Sequence, residues 1–122
     1  MSNQKNGARF EMTLKKILNS NGLFTLNLGY NETADLVVVD GKARLIECKQ
    51  SHKPTWYRKN PSQYERLMSF VKKGKSVYIA VQFIIRHKAT IKFFYLKDSP
   101  YPYKVDGGYS LEDFLKHCKE SD

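Results

Sequence analysis

The sequence predicts an α/β (α+β) domain whose central mixed five-stranded sheet is flanked by helices. Three observations predict it. Asp40-Gly41 stands between the β-branched run 36–39 and the alternating run 42–49, and Asp-Gly between apolar runs is the strongest short-range hairpin signal. Asn60-Pro61 opens a helical stretch that leads into a second apolar run, 76–84, and a helical crossover makes parallel neighbours. A third run, 90–96, follows after a short turn. A sheet with both kinds of neighbour is mixed and takes helices on its faces. The 122 residues suffice for one domain with a real core and are too few for two.

Residues 1–6 read as a polar, basic lead-in, mobile until it meets a partner. From Gly7 to Asn21, Phe10, Leu14, Ile17 and Leu18 recur at helical spacing, and Asn21-Gly22 is a stop. Lys5, Arg9, Lys15 and Lys16 lie off that face, while Glu11 sits at its border, where a pair with Lys15 would account for it. Residues 23–28 alternate as a first strand, followed by a turn at 29–33. Residues 50–60 read as a polar loop holding His52, Lys53, Trp56, Tyr57, Arg58 and Lys59. Asn60 is an N-cap with proline at the first helical position, and the helix runs to about Lys73 with Tyr64, Leu67, Met68 and Val71 inward. Arg86-His87-Lys88 makes a basic turn. Phe93, Phe94 and Tyr95 stand in a row, so the last strand needs cover on both faces, and a second subunit is one candidate for it. After a Pro/Tyr/Gly loop, Ser110 and Asp113 cap a final helix with Phe114 and Cys118 on its apolar side.

Lys and Arg number 21 against 12 Asp and Glu, a net charge of +9. That is the electrostatic footprint of a polyanion binder, although a membrane surface or plain solubility also accommodates basic charge. Basic residues interleaved with Trp56 and Tyr57 suit a phosphate backbone or unstacked bases; the other reading of these rings is that they cover an edge of the core. No apolar run reaches the length of a membrane span, the N-terminus lacks a signal-peptide core, and no membrane partner is expected. Cys48 and Cys118 make neither a disulfide framework nor a Cys/His metal spacing, so an intracellular, cytoplasmic setting is the simplest expectation.

The hairpin carries the chemistry. Strand alternation puts Glu47 and Lys49 on one face and Cys48 on the other. A tight turn centred on Asp40-Gly41 brings Asp35 roughly opposite residues 44–47, so two carboxylates and an amine converge near one edge of the sheet. Two carboxylates, waters and substrate phosphates are what Mg²⁺ asks for. A surface ion pair between Glu47 and Lys49, with Asp35 as a turn residue, is the competing reading.

Glu11 on the first helix, Ala34-Asp35 opening a strand and Glu47-Cys48-Lys49 on the next resemble the PD-(D/E)XK nuclease superfamily, whose αβββαβ, restriction-endonuclease-like core has this element order. The run from Gly7 to Glu11 with Leu14 and Leu18, the run from Gln63 to Leu67 with Phe70, and the stretch from Gly74 to Phe83 are similar to archaeal-type Holliday junction resolvases. The resemblance covers roughly residues 5–96, a nuclease core within one domain of 1–122, with 97–122 left as a C-terminal extension. It implies that Asp35, Glu47 and the Cys48 backbone carbonyl bind a divalent metal, Mg²⁺ with Mn²⁺ as a substitute, and that Glu11 completes the site from the helix, through a water or a second metal. Lys49 would position and activate the attacking water, with Gln63 and Thr33 as supporting residues. Ala34 stands where the motif has proline, and Thr33 is the one hydroxyl candidate where resolvases carry a serine-bearing loop.

The resemblance implies a nuclease of recombination and repair that nicks a four-way junction symmetrically, with no small-molecule cofactor. The two nicks call for a homodimer, for which the strand from Ile91 to Leu96 is the candidate surface. Lys5, Arg9, Lys15, Lys16, Lys53, Trp56, Tyr57, Arg58, Lys59, Arg86 and Lys88 would hold the DNA backbone without reading bases. The alternatives are another nuclease of the superfamily, VRR-type or flap-cutting, and a non-catalytic basic binding module. A viral protein acting in a host cell fits the same features.

Overall fold

The computed structural model describes residues 2–29 and 34–120, with the side chains of residues 2–8 outside that description. The order is α1 (Ser2–Ser20), β1 (Phe24–Asn27), β2 (Leu36–Asp40), β3 (Lys42–Ser51), β4 (Thr55–Trp56), α2 (Pro61–Lys72), β5 (Ser76–Ile85), β6 (Lys88–Tyr95), β7 (Tyr103–Lys104) and α3 (Leu111–Glu120). The main sheet runs β1-β2-β3-β5-β6, and β4 with β7 makes a two-stranded ribbon. Among the described residues only β3 and β5 are parallel neighbours, joined through α2 as the crossover requires. The mixed five-stranded sheet of the sequence is therefore the sheet of the fold.

The hairpin keeps the expected placement of its two strands. Val39 faces Ala43 and Leu36 faces Ile46, so the turn centres on Gly41, whose φ of 80° suits a residue without a Cβ. Just ahead of this ladder the Asp35 backbone N–H donates to the Ile46 carbonyl at 3.1 Å, which keeps Asp35 within the expected span 44–47. β3 is also the middle strand, so the carboxylates meet at the end of the central strands and not at a sheet edge.

Two cores sandwich the sheet. Phe10, Leu14 and Leu18 of α1 and Phe114 and Cys118 of α3 pack on Leu36, Val38, Ile46 and Phe93. On the opposite face Leu67 of α2 with Trp56 and Tyr103 of the ribbon cover Val77, Ile79, Val81 and Phe94. The aromatic strand β6 is thus covered on both faces by its own chain. Phe93 stacks on Phe114 at 4.1 Å and Phe94 on Tyr103 at 4.4 Å. Its outer edge is partly closed too, because Phe93 and Tyr109 exchange backbone hydrogen bonds of 2.8 and 2.7 Å. Gly108 permits that approach, since a Cβ there would lie 2.8 Å from the Phe93 carbonyl. The bare aromatic face that pointed to residues 91–96 as a dimer surface does not exist.

Three local expectations change. Helix α1 starts at Ser2, ahead of Gly7, because a formed helix extends through polar residues that leave no apolar period to read. The loop 50–60 contains β4, which finds its partner in β7 some fifty residues on. Arg44, a polar residue of the alternating run 42–49, is fully buried: its guanidinium donates to the Cys118 carbonyl at 2.6 Å, neutralising the C-terminal end of α3, while Ala43 is exposed.

Candidate active site

The site lies toward the carboxyl ends of β3 and β5 and draws one residue from each helical layer. Asp35 precedes β2, and its carboxylate accepts the Cys48 backbone N–H at 2.8 Å. N–H and C=O of one strand residue point the same way, so the Cys48 carbonyl also faces Asp35. Two residues along β3, Glu47 and Lys49 share a face, with Lys49 Nζ 3.1 Å from Glu47 Oε2. Gln63 comes from the first turn of α2, fixed by the Asn60 cap. Its carbonyl accepts from Lys49 Nζ at 2.8 Å and its amide donates to Glu47 Oε2. The amide thereby ties the cation to the carboxylate. Glu11 approaches Asp35 from α1.

The electrostatics are those of crowded carboxylates. Burial first, then the negative charge of Asp35, pushes Glu47 up to about 8 although Lys49 pulls it down. The same two causes raise Glu11 to about 7. Glu47 is only 4% exposed, which sets aside the surface ion-pair reading of Glu47 and Lys49. Among the described residues no three His, Cys, Asp or Glu side chains form a ready-made metal cage. The donor set nonetheless fits a hard divalent cation, which takes one or two carboxylates and keeps its waters. Such a cation would also relieve the mutual repulsion that raises both glutamates. The Cys48 thiol, on the other face, is held well above its usual range by burial and by Asp35, Glu11 and Glu47, so it is no nucleophile.

The residues expected to touch DNA divide. Arg9, Lys16, Lys53, Arg58, Lys59, Arg86 and Lys88 are exposed, and Tyr57 is 58% exposed. The turns holding Lys53 and Arg86–Lys88 lie at the same end of the sheet as the carboxylates. Lys15 is half-buried and bonds Asn27 at 2.9 Å. Trp56 is 8% exposed and stacked on Tyr103, so of its two readings the structure takes the core edge. The Lys5 side chain and Thr33 lie outside the described residues. Sequence reasoning missed Tyr64 and Tyr101, whose rings hold the Arg58 guanidinium at 4.1 and 4.0 Å. Nothing in the sequence connects residue 101 with residue 58.

The family model for archaeal Holliday junction resolvases (Hjc) matches residues 2–122. Among solved structures the fold is similar to Archaeoglobus fulgidus Hjc, a Holliday junction resolvase from an archaeal hyperthermophile, with a TM-score of 0.71 and 21% identity over 91% of this chain and 96% of that one. No curated protein matches the chain significantly. At 21% identity the solved structure speaks for the fold, and the family model, which spans nearly every residue, speaks for descent. The chain belongs to the archaeal Holliday junction resolvase family and is a junction-resolving nuclease of recombination and repair.

Proposed function

We propose that this nuclease cuts four-way DNA junctions as paired symmetric nicks, with Asp35, Glu47, Lys49 and Glu11 as its catalytic residues and Mg²⁺ as its working ion. The observation that carries this reading is the Lys49–Gln63–Glu47 chain of hydrogen bonds beside Asp35. Resolvases of this kind generally use a divalent metal. Asp35, Glu47 and the Cys48 carbonyl would hold it, with Glu11 adjacent, and Mn²⁺ is expected to substitute for Mg²⁺. Bound there, the ion supplies Lewis-acid relief of charge on the scissile phosphate. Lys49, held in place by Gln63, orients the attacking water and offsets charge developing on the phosphoryl oxygens. The exposed cations grip the flanking backbone.

Two nicks need two sites, so we infer a homodimer. Phe24, Leu26 and Val39 share the sheet face occupied by α2, and they project beyond it at 59%, 41% and 45% exposure. That apolar shelf replaces β6 as the candidate contact. Two thiols, Cys48 and Cys118, suit the intracellular setting where branched DNA occurs.

End-labelled junction beside linear duplex of the same arms tests the reading. In Mg²⁺ the wild type is expected to nick only the junction, at paired positions. Lys49→Ala should lower the rate by at least about a hundredfold. Glu47→Ala should stop cleavage while preserving or tightening junction binding, because it removes negative charge near phosphates. Wild-type cleavage by Glu47→Ala would overturn the site assignment, and cutting of both substrates would make the protein a general nuclease.

A further inference from the structure

Among the described residues, Arg58 is the one cation held against two aromatic rings. Its guanidinium carbon lies 4.1 Å from the ring centre of Tyr64, in α2, and 4.0 Å from that of Tyr101, in the loop before β7. The main chain is tied to the same loop, because the Arg58 backbone N–H donates to the Tyr101 hydroxyl at 2.9 Å. Tyr101 is braced in turn by the buried Tyr103, edge to face at 5.9 Å. Ring contact of this kind uses none of a guanidinium's five N–H donors. Among the described residues no carboxylate, carbonyl or hydroxyl oxygen accepts from them, and the residue is exposed. An apolar side chain would fasten the loop to α2 and would present no donors to solvent.

Arg58 also lines one hollow with Lys49 and Gln63, so its charge sits on the α2 side of the carboxylate cluster. We propose that Arg58 holds the phosphate next to the scissile one on the cut strand, with Tyr101 as its positioning residue, and that this pair sets which phosphate reaches Lys49. The inference rests on the reading that the phosphate is cut at the Asp35–Glu47–Lys49 cluster. Exposed Lys53, Lys59 and Lys88 are point charges on flexible stems, which accept a phosphate at any register. A guanidinium fork matches two phosphate oxygens at once and so fixes direction as well as charge. Held by two rings before DNA arrives, it has less side-chain freedom to lose on binding. Affinity is spread over all the exposed cations. The position of the cut depends on the one that cannot move. Tyr101 belongs to the stretch 97–122, which thereby serves the cut as well as the core.

The test uses Mg²⁺ and four-way junctions carrying one neutral methylphosphonate on either side of the cut. In wild type, the substitution at one of the two flanking phosphates is expected to slow nicking by roughly tenfold to a hundredfold, the worth of a charge-assisted hydrogen bond. Arg58→Gln removes the charge and keeps most of the stem. It should be slowed as much on the unmodified junction, and by less than about twofold further when that methylphosphonate is present. Arg58→Lys and Tyr101→Phe should leave junction affinity within about twofold while spreading the nicks over neighbouring phosphates. A wild type indifferent to both methylphosphonates, or slowed by them no more than Arg58→Gln is, would overturn the phosphate contact and leave Arg58 a staple of the loop, with the nuclease site standing. Variants that keep a single cut position would overturn the role in register. A wild type that nicks no unmodified junction would overturn the nuclease reading as well.

Discussion

Glu47 and Glu11 hold their protons more tightly in the folded chain than a free carboxyl does, at about 8 and about 7 against 4.5, because they are buried and face Asp35. Between pH 4.5 and about 8 the folded state therefore binds more protons than the unfolded one. This contribution is complete below the unfolded value and is lost as pH rises through the folded ones. In metal-free protein the unfolding midpoint of wild type relative to Glu47→Gln should fall from pH 5 to pH 8.5, and a divalent ion should flatten the difference. A difference that rises with pH would contradict the arrangement. Ion binding requires ionised carboxylates, so it should release protons at pH 7, measurable by calorimetry in buffers of different ionisation enthalpy. The residue types were legible in the sequence because Asp35, Glu47 and Lys49 fall on a recognisable hairpin. Their convergence followed from the tight turn at Asp40-Gly41, while the bond from the Cys48 backbone N–H to the Asp35 carboxylate shows only in the folded chain. Gly41→Ala should cost about 1–2 kcal/mol in urea unfolding, the strain of a Cβ at positive φ.

Helix α3 shows how the stretch 97–122, left by the sequence as an extension, becomes part of the core. Its Phe114 is fully buried, stacked on Phe93 and edge-on to Tyr78 at 5.0 Å. Its C-terminal turn receives the Arg44 guanidinium. Phe114→Ala should destabilise by about 3–5 kcal/mol, the range for an emptied aromatic core site. A loss below 1 kcal/mol in denaturant unfolding would mean that α3 docks only loosely. The amphipathic spacing of 111, 114, 115 and 118 was enough to place the helix. Burial of Arg44 was not readable, because its partner is a backbone carbonyl 74 residues away. The ribbon escaped for the same reason: two-residue strands carry no period, and Trp56 meets Tyr103 only once the chain has folded.

At the scale of the molecule, the net charge of +9 and the two-nick reaction make the main demands. Junction affinity should fall steeply and linearly with salt on logarithmic axes, since phosphate contacts release counterions. A flat salt response would exclude backbone gripping by Arg9, Lys53, Lys59 and Lys88. The apolar shelf of Phe24, Leu26 and Val39 predicts a dimer by sedimentation. Phe24→Glu with Leu26→Glu should give a monomer that still nicks but no longer pairs its nicks. A monomeric wild type that pairs its nicks would refute the shelf.

The sequence by itself determined the fold class and the order of the main elements, and it marked Glu11, Asp35, Glu47, Lys49 and Gln63 as candidates. Local periodicity, turn chemistry and motif spacing are written within short stretches of chain. Tertiary structure alone decided that Gln63 bridges Lys49 and Glu47, that β6 is covered from within, and that Trp56, Arg58 and Tyr64 line a hollow beside the carboxylates. Those features arise between residues distant in sequence, whose meeting is set by packing and strand register and leaves no periodic trace along the chain.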